Sequence, residues 1–395
     1  MKRIFLSAIG LLSLLQSFGQ STNSDSSYKK RKLQMEEINV LSSYYHQNGN
    51  NAVVTGGIGS EKLTDISNVI DLTYIGYGKK YKHVLDVELG IDYYTSASSD
   101  MIDLKANSSA SHADVRIYPS VTYGLENVSK GLTYTGGVTY SKEFDYQSIG
   151  LNAGFSKKTK NKNGEFSASF QALFDQVSLI LPIELRTNGN SMVRNYPTTA
   201  RNTFVGSLSY EQIVNDKFKV LFLADIIQQN GYLSLPFHRV YFNDNTVHLE
   251  NLPGSRTKLP VAVRASYFAT DNIIVKAYYR YYSDNWGLKA HTIELETPIK
   301  INAFFSVSPF YRYYTQAGMK YFAPYKVHTA ADTYYVSNYD LSNFQSSFYG
   351  TGIKYTPLRG VLGLKEINTV EIRYGHYTRN TNFNSDIISV AIKFK

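Results

Sequence analysis

The chain has 395 residues, with 41 Lys and Arg against 32 Asp and Glu, which gives a formal charge of +9. Its 34 Tyr, 21 Phe and 27 Gly stand beside a single Trp, a composition typical of pleated strands, interfacial aromatic rings and tight turns. The absence of cysteine excludes disulfides, thiolate catalysis, cysteine zinc sites and a lipid-modified N-terminal cysteine. Beyond the first twenty residues no segment approaches the apolar run that a membrane helix needs, so a helical membrane protein is excluded as well.

The N-terminal region has the features of an export signal. Two basic residues precede an apolar run from Ile4 to Leu15, and small residues around Gly19 mark a cleavage site. We therefore predict that residues 1–19 are a secretory signal peptide. Residues 20–35 follow as a polar, basic lead-in, which we interpret as a solvated tail. The other basic residues are scattered along alternating segments, so the charge does not indicate a nucleic-acid partner.

Beyond the lead-in, apolar and polar side chains alternate along the chain. In the stretch IIVKAYYRYY, residues 273–282, one face carries Val275, Tyr279 and Tyr281, whereas Lys276 and Arg280 lie on the other. A period of two residues indicates a β-strand. Comparable segments recur at 82–94, 116–124, 261–268, 304–314 and 387–395. No linker, repeat or low-complexity block divides residues 36–395, so a single all-β domain is expected.

Alternation is also typical of soluble sandwiches, but the connections favour a barrel. The segments run to about 10–13 residues, which suits a tilted membrane crossing. Long connections are predicted to alternate strictly with tight turns, so that long loops lie on the extracellular side and short turns on the periplasmic side. The long connections are predicted at 46–66, 95–111, 176–200, 230–257 and 316–345. The tight turns are predicted at 78–80, 124–130, 215–216, 271–272 and 301–302.

These observations predict a single closed antiparallel transmembrane β-barrel of about sixteen strands, with fourteen as the alternative. Its first strand is expected at about 36–46 and the barrel at 36–395. The predicted location is the bacterial outer membrane, with membrane lipid and the barrel-insertion machinery as partners. Phe394 lies in the lipid-facing register of the last segment and is the predicted insertion signal, although Lys395 follows it.

Period-two alternation also predicts which charged side chains face the lumen. An acidic stripe of Asp86, Glu88, Asp92, Glu294 and Glu296 is expected to face Arg116, Lys276, Arg280 and Arg312. Arg264 and Lys393 share the inward register. Such charges either set the selectivity of a pore or neutralise one another in a network that stiffens or plugs the barrel.

The loops contain the remaining candidate sites. Gly56, Gly57 and Gly59 either belong to a loop that defines what enters the lumen or supply positive φ at turns. His238, Arg239, Asp244 and His248, with Glu250, form the group best suited to a hydrolase, but their spacing matches no metal or catalytic signature. Two further sets offer hard oxygens for Ca²⁺, namely Asp100, Asp103 and Asn107, and Asn243, Asp244 and Asn245. Their spacing is not that of a calcium loop, so we predict no cofactor and no metal.

Five stretches resemble an uncharacterised bacterial family, the domain-of-unknown-function family 3570. They lie at 47–72, 89–103, 179–186, 231–242 and 309–325, and the third reads LILPIELR. The resemblance implies an outer-membrane barrel of Gram-negative bacteria, frequent in Bacteroidota, with no assigned activity or site residue. It also implies a genomic association with exported redox proteins.

Three functions follow as hypotheses. The first is a channel or transport barrel for small polar solutes. The second is a barrel that anchors or partners an envelope protein assembly, with a redox-related role implied by the family resemblance. The third is an outer-membrane hydrolase, which the lack of a catalytic signature disfavours.

Overall fold

The computed structural model describes residues 31–96, 113–186 and 196–395. In these ranges the chain forms sixteen long strands, three short strands and three one-turn 3₁₀ helices. The long strands are β1 (Arg31–Gly49), β2 (Leu63–Tyr77), β3 (Lys82–Ser96), β4 (Ala113–Asn127), β5 (Leu132–Lys142), β6 (Tyr146–Lys158), β7 (Gly164–Ser178), β8 (Thr198–Asn215), β9 (Phe218–Gly231), β12 (Ser255–Phe268), β13 (Ile274–Asp284), β14 (Lys289–Glu296), β16 (Phe305–Ala317), β17 (Phe344–Tyr355), β18 (Ile367–Arg379) and β19 (Phe383–Phe394). The short strands are β10 (Arg239–Tyr241), β11 (Val247–Leu249) and β15 (Ile299–Lys300), and the helices are Val53–Thr55, Ile183–Leu185 and Tyr339–Leu341.

The predicted signal peptide at 1–19 lies outside the described residues, as do Asp100, Asp103 and Asn107. Strand β1 begins at Arg31 and ends at Gly49, so it is longer than the predicted strand at 36–46 at both ends. In the described ranges, no helix is long and apolar enough to span a membrane.

The sixteen long strands close into one antiparallel barrel. Each strand pairs with its neighbours in chain order, and β9 pairs with β12 across the connection 232–254. The first and last strands complete the ring, because Ile38 of β1 lies opposite both Leu72 of β2 and Phe394 of β19. Closure gives every strand two partners, which removes the unpaired backbone groups that an open sheet would expose to hydrocarbon. The predicted closed barrel of about sixteen strands is confirmed.

The two faces of the barrel wall differ in chemistry. On β13, Lys276 and Tyr278 belong to the inner face, where Lys276 forms an ion pair with Glu296 and the Arg264 guanidinium lies 5.4 Å from the centre of the Tyr278 ring. The outer face carries an apolar band in which Leu208, Ile226 and Ile293 are 53%, 56% and 55% exposed. An exposed apolar band on the outside of a closed ring of strands is the surface that contacts lipid, so the barrel spans a membrane.

The strands that the five longest connections join have the joined ends at one end of the barrel. These connections are 50–62, 97–112, 179–197, 232–254 and 318–343. Three further connections at this end are tight turns, namely 143–145, 285–288 and 380–382, so the prediction of strict alternation is wrong there. In the second of these turns, Asp284 accepts hydrogen bonds from the amides of Trp286 and Leu288, and Gly287 has a φ of 92°. These features reverse the chain without a long loop.

A charge on the outer face should destabilise the barrel, and a charge on the inner face should not. Leu208 lies near the middle of β8 on the lipid-facing side, and its neighbour Ser207 lies inward, opposite Asp225. We expect Leu208→Arg to lower the free energy of unfolding from a bilayer by about 2–4 kcal/mol, and the matched Ser207→Arg to lower it by less than about 1 kcal/mol. Denaturant titration of protein folded into liposomes measures both values. Equal losses of unfolding free energy in the two variants would contradict the assignment of the inner and outer faces.

Candidate functional site

One side of the lumen is acidic. Strands β2 and β3 place Asp65, Asp71, Asp86, Glu88 and Asp92 on the inner face, and we call this set the acidic wall. Hydroxyl groups hydrogen bond to its carboxylates: Thr73 donates to Asp86 at 2.8 Å, and both Ser67 and Tyr118 donate to Asp92. The buried Oδ1 of Asp65 has no hydrogen-bond partner among the described residues. Hydroxyls therefore hold Asp86 and Asp92 in place without neutralising their carboxylates.

A second side of the lumen is predominantly basic. It carries Arg264, Lys276, Arg280, Arg312 and Arg373, which we call the basic wall. With its neighbours, this wall encloses a cavity of about 340 Å³ that Arg264 and Lys276 line together with Glu211 and Lys219.

Glu294 and Glu296 belong to the basic side, although the sequence analysis placed them in the acidic stripe. Both lie on β14, where Glu296 is 3.5 Å from Lys276 and 3.7 Å from Arg373, and Glu294 is 3.9 Å from Arg312. Inward orientation follows from alternation along a strand, whereas the position around the barrel depends on where the strand falls in the ring. These two carboxylates therefore partly offset the basic wall.

Strand β13 of the basic wall faces β3 of the acidic wall across the lumen. Strand β3 is the third long strand and β13 is the eleventh, so half of the sixteen-strand ring separates them on either side. Arg116, predicted on the basic side, instead adjoins the acidic wall. There its Nε donates to Ser141 Oγ at 3.0 Å, and its guanidinium lies 4.9 Å from the centre of the Tyr118 ring. Lys393, near the chain terminus, forms an ion pair with Glu37.

Three long connections pack together at the end of the barrel that carries the loops. We call this unit the loop assembly; it comprises residues 50–62, 232–254 and 318–343. It has its own apolar core, since Leu252, Met319 and Val336 pack against Trp286 and Leu288 of a neighbouring tight turn. The β10–β11 hairpin contributes Val240, which is 0% exposed. The loop assembly is therefore a packed structure rather than a set of separate loops.

Arg239 joins three connections at the centre of the loop assembly. Its guanidinium forms a bidentate ion pair with Glu184, with Nη2 at 3.1 Å from Oε2, and Nη1 donates to the Val54 carbonyl at 2.8 Å. The residue is only 2% exposed. Burial favours the neutral form of Glu184, but the hydrogen bonds and charge of Arg239, a backbone hydrogen bond and the charge of Arg186 together outweigh it and lower the pKa of this acid.

The predicted glycine cluster lies where these connections approach one another most closely. Gly56, Gly57 and Gly59 have φ values of 79°, 86° and 84°. A Cβ atom on Gly57 would lie 2.6 Å from the Ser337 carbonyl oxygen, and one on Gly56 would lie 2.5 Å from the Tyr241 ring. Both glycines thus combine left-handed backbone with close contact to 318–343 and to the β10–β11 hairpin.

The histidines that suggested a hydrolase form two separate groups. The buried His238 Nδ1 lies 3.0 Å from Glu250, whose other oxygen accepts a hydrogen bond from the Leu235 amide. Thr246 instead links Asp244 and His248, at 2.6 Å and 2.9 Å. Among the residues that the structure describes, no hydrogen bond connects the two groups. His238 and Glu250 are each less than a tenth exposed, which keeps them from a substrate.

The second predicted calcium set is occupied by turn hydrogen bonds. Asp244 accepts from the amide and hydroxyl of Thr246, and Asn245 accepts from the Lys326 ammonium at 2.6 Å. A different group of carboxylates, Asp114, Glu143 and Asp145, has ligand atoms within 4.8 Å of one another. Burial and the neighbouring Glu143 raise the pKa of Asp145 to about 6. This group lies at the rim of the barrel, and the sequence analysis did not single it out.

The loop assembly is bound to the inner face of the barrel. Asp340 Oδ1 lies 2.7 Å from the Arg379 guanidinium, and Gln316 Nε2 donates to the carbonyls of Asp340 at 2.9 Å and Ser342 at 2.5 Å. Arg379 and Gln316 both end strands with their side chains on the lumen side. The connection 318–343 therefore covers part of the mouth. Sequence reasoning identified neither Arg379 nor Asp340.

The apolar exterior, the charged interior and the closed ring define a transmembrane β-barrel of the outer-membrane type. The chain belongs to the family described as "Protein of unknown function (DUF3570)", whose profile matches residues 111–387.

Solved structures are similar to the chain at low identity. They include a BenF-like porin from Pseudomonas fluorescens Pf-5 (TM-score 0.44, 10% identity, 91% of this chain and 98% of that chain covered). Pseudomonas aeruginosa OccK7 (OpdD) is similar at TM-score 0.44 and 8% identity, with 91% and 98% covered. Pseudomonas aeruginosa OccK2 (OpdF) in complex with glucuronate is similar at TM-score 0.42 and 10% identity, with 91% and 97% covered. No curated protein sequence matches the chain.

Proposed function

We propose that the protein is an outer-membrane channel for small polar solutes, with the loop assembly on the cell exterior restricting the mouth. The observation that carries the proposal is the lumen lining. A packed interior would be apolar, but this one presents carboxylates and guanidinium groups on opposite walls. A sixteen-strand barrel leaves room for an aqueous path. Opposed charges across that path orient polar solutes and select ions.

Conductance in planar bilayers tests the channel directly. The purified full chain should give reproducible conductance steps in potassium chloride, because the lumen is wide and charged. A heat-denatured sample of the same preparation is the control. The absence of steps from folded protein would overturn the proposal.

The surface of the loop assembly favours a second function, the docking of an envelope protein. Ile58, Val327 and Tyr334 are exposed large apolar side chains on this surface, which is itself a rigid, packed unit. If the protein purified from its native envelope carries a second protein in equal amount, the assembly role is supported. If the barrel purifies alone and conducts ions, the channel is the function.

A further inference from the structure

A cavity of about 390 Å³ lies at the mouth of the lumen, beneath the loop assembly. Its walls come from the inner faces of β1 and β16–β19 and from the connections 50–62 and 318–343. It is lined by Glu61, Arg312, Asp340, Arg379 and four aromatic residues, Tyr45, Phe348, Tyr377 and Phe383. This volume suits a small organic molecule rather than a lone ion.

Arg379 and Asp340 are engaged with each other. The Arg379 side chain is only 11% exposed, forms an ion pair with Asp340 at 2.7 Å, and stacks on Phe344 and Phe383 at 4.2 Å and 4.7 Å. The pair anchors 318–343 to the barrel and shapes the cavity. Most of the cation-binding capacity of Asp340 is thereby used within the protein.

Arg312 is far less constrained. Its side chain is 41% exposed, and its ion-pair partner Glu294 lies at 3.9 Å, too long for a hydrogen bond. The guanidinium carbon lies 4.7 Å from the centre of the Phe348 ring. Because Arg312 also lines the cavity, its guanidinium has N–H donors available to bind a carboxylate there.

Glu61 provides the opposite charge. Its backbone amide donates to the Gly49 carbonyl at 2.8 Å, which fixes its position, but no described residue donates a hydrogen bond to its carboxylate. Burial, together with the nearby charge of Asp340, raises the pKa of Glu61 to about 7, and Arg379 opposes this shift. A partly buried carboxylate without a donor is costly unless a ligand supplies one.

We propose that this cavity binds small zwitterions, in particular amino acids with an aromatic side chain. The ligand ammonium donates to Glu61, the ligand carboxylate accepts from Arg312, and the ring packs against Phe348 and Tyr377. This assignment names the solute class and rests on the proposed channel only in placing the cavity on the solute path.

Isothermal titration calorimetry of the detergent-solubilised full chain tests the site without measuring current. We expect L-phenylalanine to bind at least about tenfold more tightly than phenylacetate, which lacks the ammonium, or phenethylamine, which lacks the carboxylate, because each analogue leaves one charged group without a partner. No heat with L-phenylalanine, or equal affinities for all three probes, would overturn the proposal.

Matched variants assign the two contacts. Glu61→Gln should weaken the binding of L-phenylalanine and phenethylamine and leave the binding of phenylacetate unchanged. Arg312→Gln should weaken the binding of L-phenylalanine and phenylacetate and leave the binding of phenethylamine unchanged. Lys130→Gln, an exposed change in a turn at the far end of the barrel, is the control and should alter none of the three affinities. Equal effects of either cavity variant on all three probes would contradict the assignment.

The pH dependence of the unmodified chain provides a test that does not require a variant. Glu61 carries its charge only above its raised pKa, so affinity for L-phenylalanine should rise between about pH 6 and pH 8. The charged and titratable groups around it are Asp340, Arg379, Arg312, Tyr45 and Tyr377. A flat profile would contradict the role of Glu61. Binding without conductance would overturn only the channel, and conductance without binding would overturn only this site.

Discussion

Replacing Arg239 with methionine is expected to release the loop assembly while leaving the barrel intact. Methionine fills a similar volume but removes the charge that joins Glu184 to the Val54 carbonyl. Breaking a buried ion pair by removing one partner costs about 3 kcal/mol, which corresponds to a roughly hundredfold larger open population. Glu184 is partly exposed, so we expect the loss of stabilising free energy to lie near the lower end of the range measured for buried ion pairs.

Two measurements report the release of the loops. Proteinase K added to intact cells should cleave 232–254 and 318–343 about a hundredfold faster in Arg239→Met than in the unmodified protein. Single-channel conductance should also rise, because 318–343 covers part of the mouth. Heat-modifiable migration on gels should remain, since it reports the barrel.

Lys326→Met is the matched control for this experiment. Lys326 lies in the same loop assembly and is exposed, and its ammonium donates to Asn245. It should change neither the cleavage rate nor the conductance. If Arg239→Met behaves like this control, the apolar core around Val336 holds the loops without the ion pair. If the protease cleaves these loops only when it acts from the periplasmic side, the loop assembly faces the periplasm and the proposed orientation is contradicted.

Neutralising the acidic wall should shift ion selectivity towards anions. In the triple variant Asp86→Asn, Glu88→Gln and Asp92→Asn, the new amides at positions 86 and 92 keep an oxygen that accepts the existing hydroxyl hydrogen bonds. Three charges beside an aqueous path together contribute about 1 kcal/mol, or roughly a fivefold change in the anion-to-cation permeability ratio. The reversal potential in a potassium chloride gradient measures this ratio. Low salt is required, because the Debye length is about 10 Å at 0.1 M.

A matched variant on the opposite wall should give the opposite shift. Arg264→Gln, Lys276→Gln and Arg280→Gln remove three cations from the face that opposes β3. We expect the permeability ratio to move towards cations by a comparable factor. If the permeability ratio shifts in the same direction in both variants, or in neither, the two walls do not set ion selectivity. The mouth of the barrel would then set it.

Alternation along each strand assigns a side chain to one of two faces, because a period of two residues leaves one choice of side. In IIVKAYYRYY, Lys276 and Arg280 share a face for this reason. Alternation carries no information about position around the ring. Glu294 and Glu296 therefore lie beside Lys276, Arg312 and Arg373 rather than in the acidic wall, and Arg116 adjoins that wall.

No local sequence pattern predicts the loop assembly. Arg239 meets Glu184 and Val54 through three connections that are far apart in the chain, and no local period relates them. The two histidine groups show the same limit, because proximity in one loop did not bring His238 and His248 together. The glycines were the one usable signal, since three within four residues indicate unusual backbone.

The seam between β1 and β19 has a consequence for biogenesis. Its register joins Ile38 to Phe394, so the wall stays incomplete until the final strand has arrived. A chain shortened by β19 would present two unpaired edges, each with amides that cost several kcal/mol apiece in hydrocarbon. Closure of the barrel wall in the membrane therefore requires β19 to pair with β1.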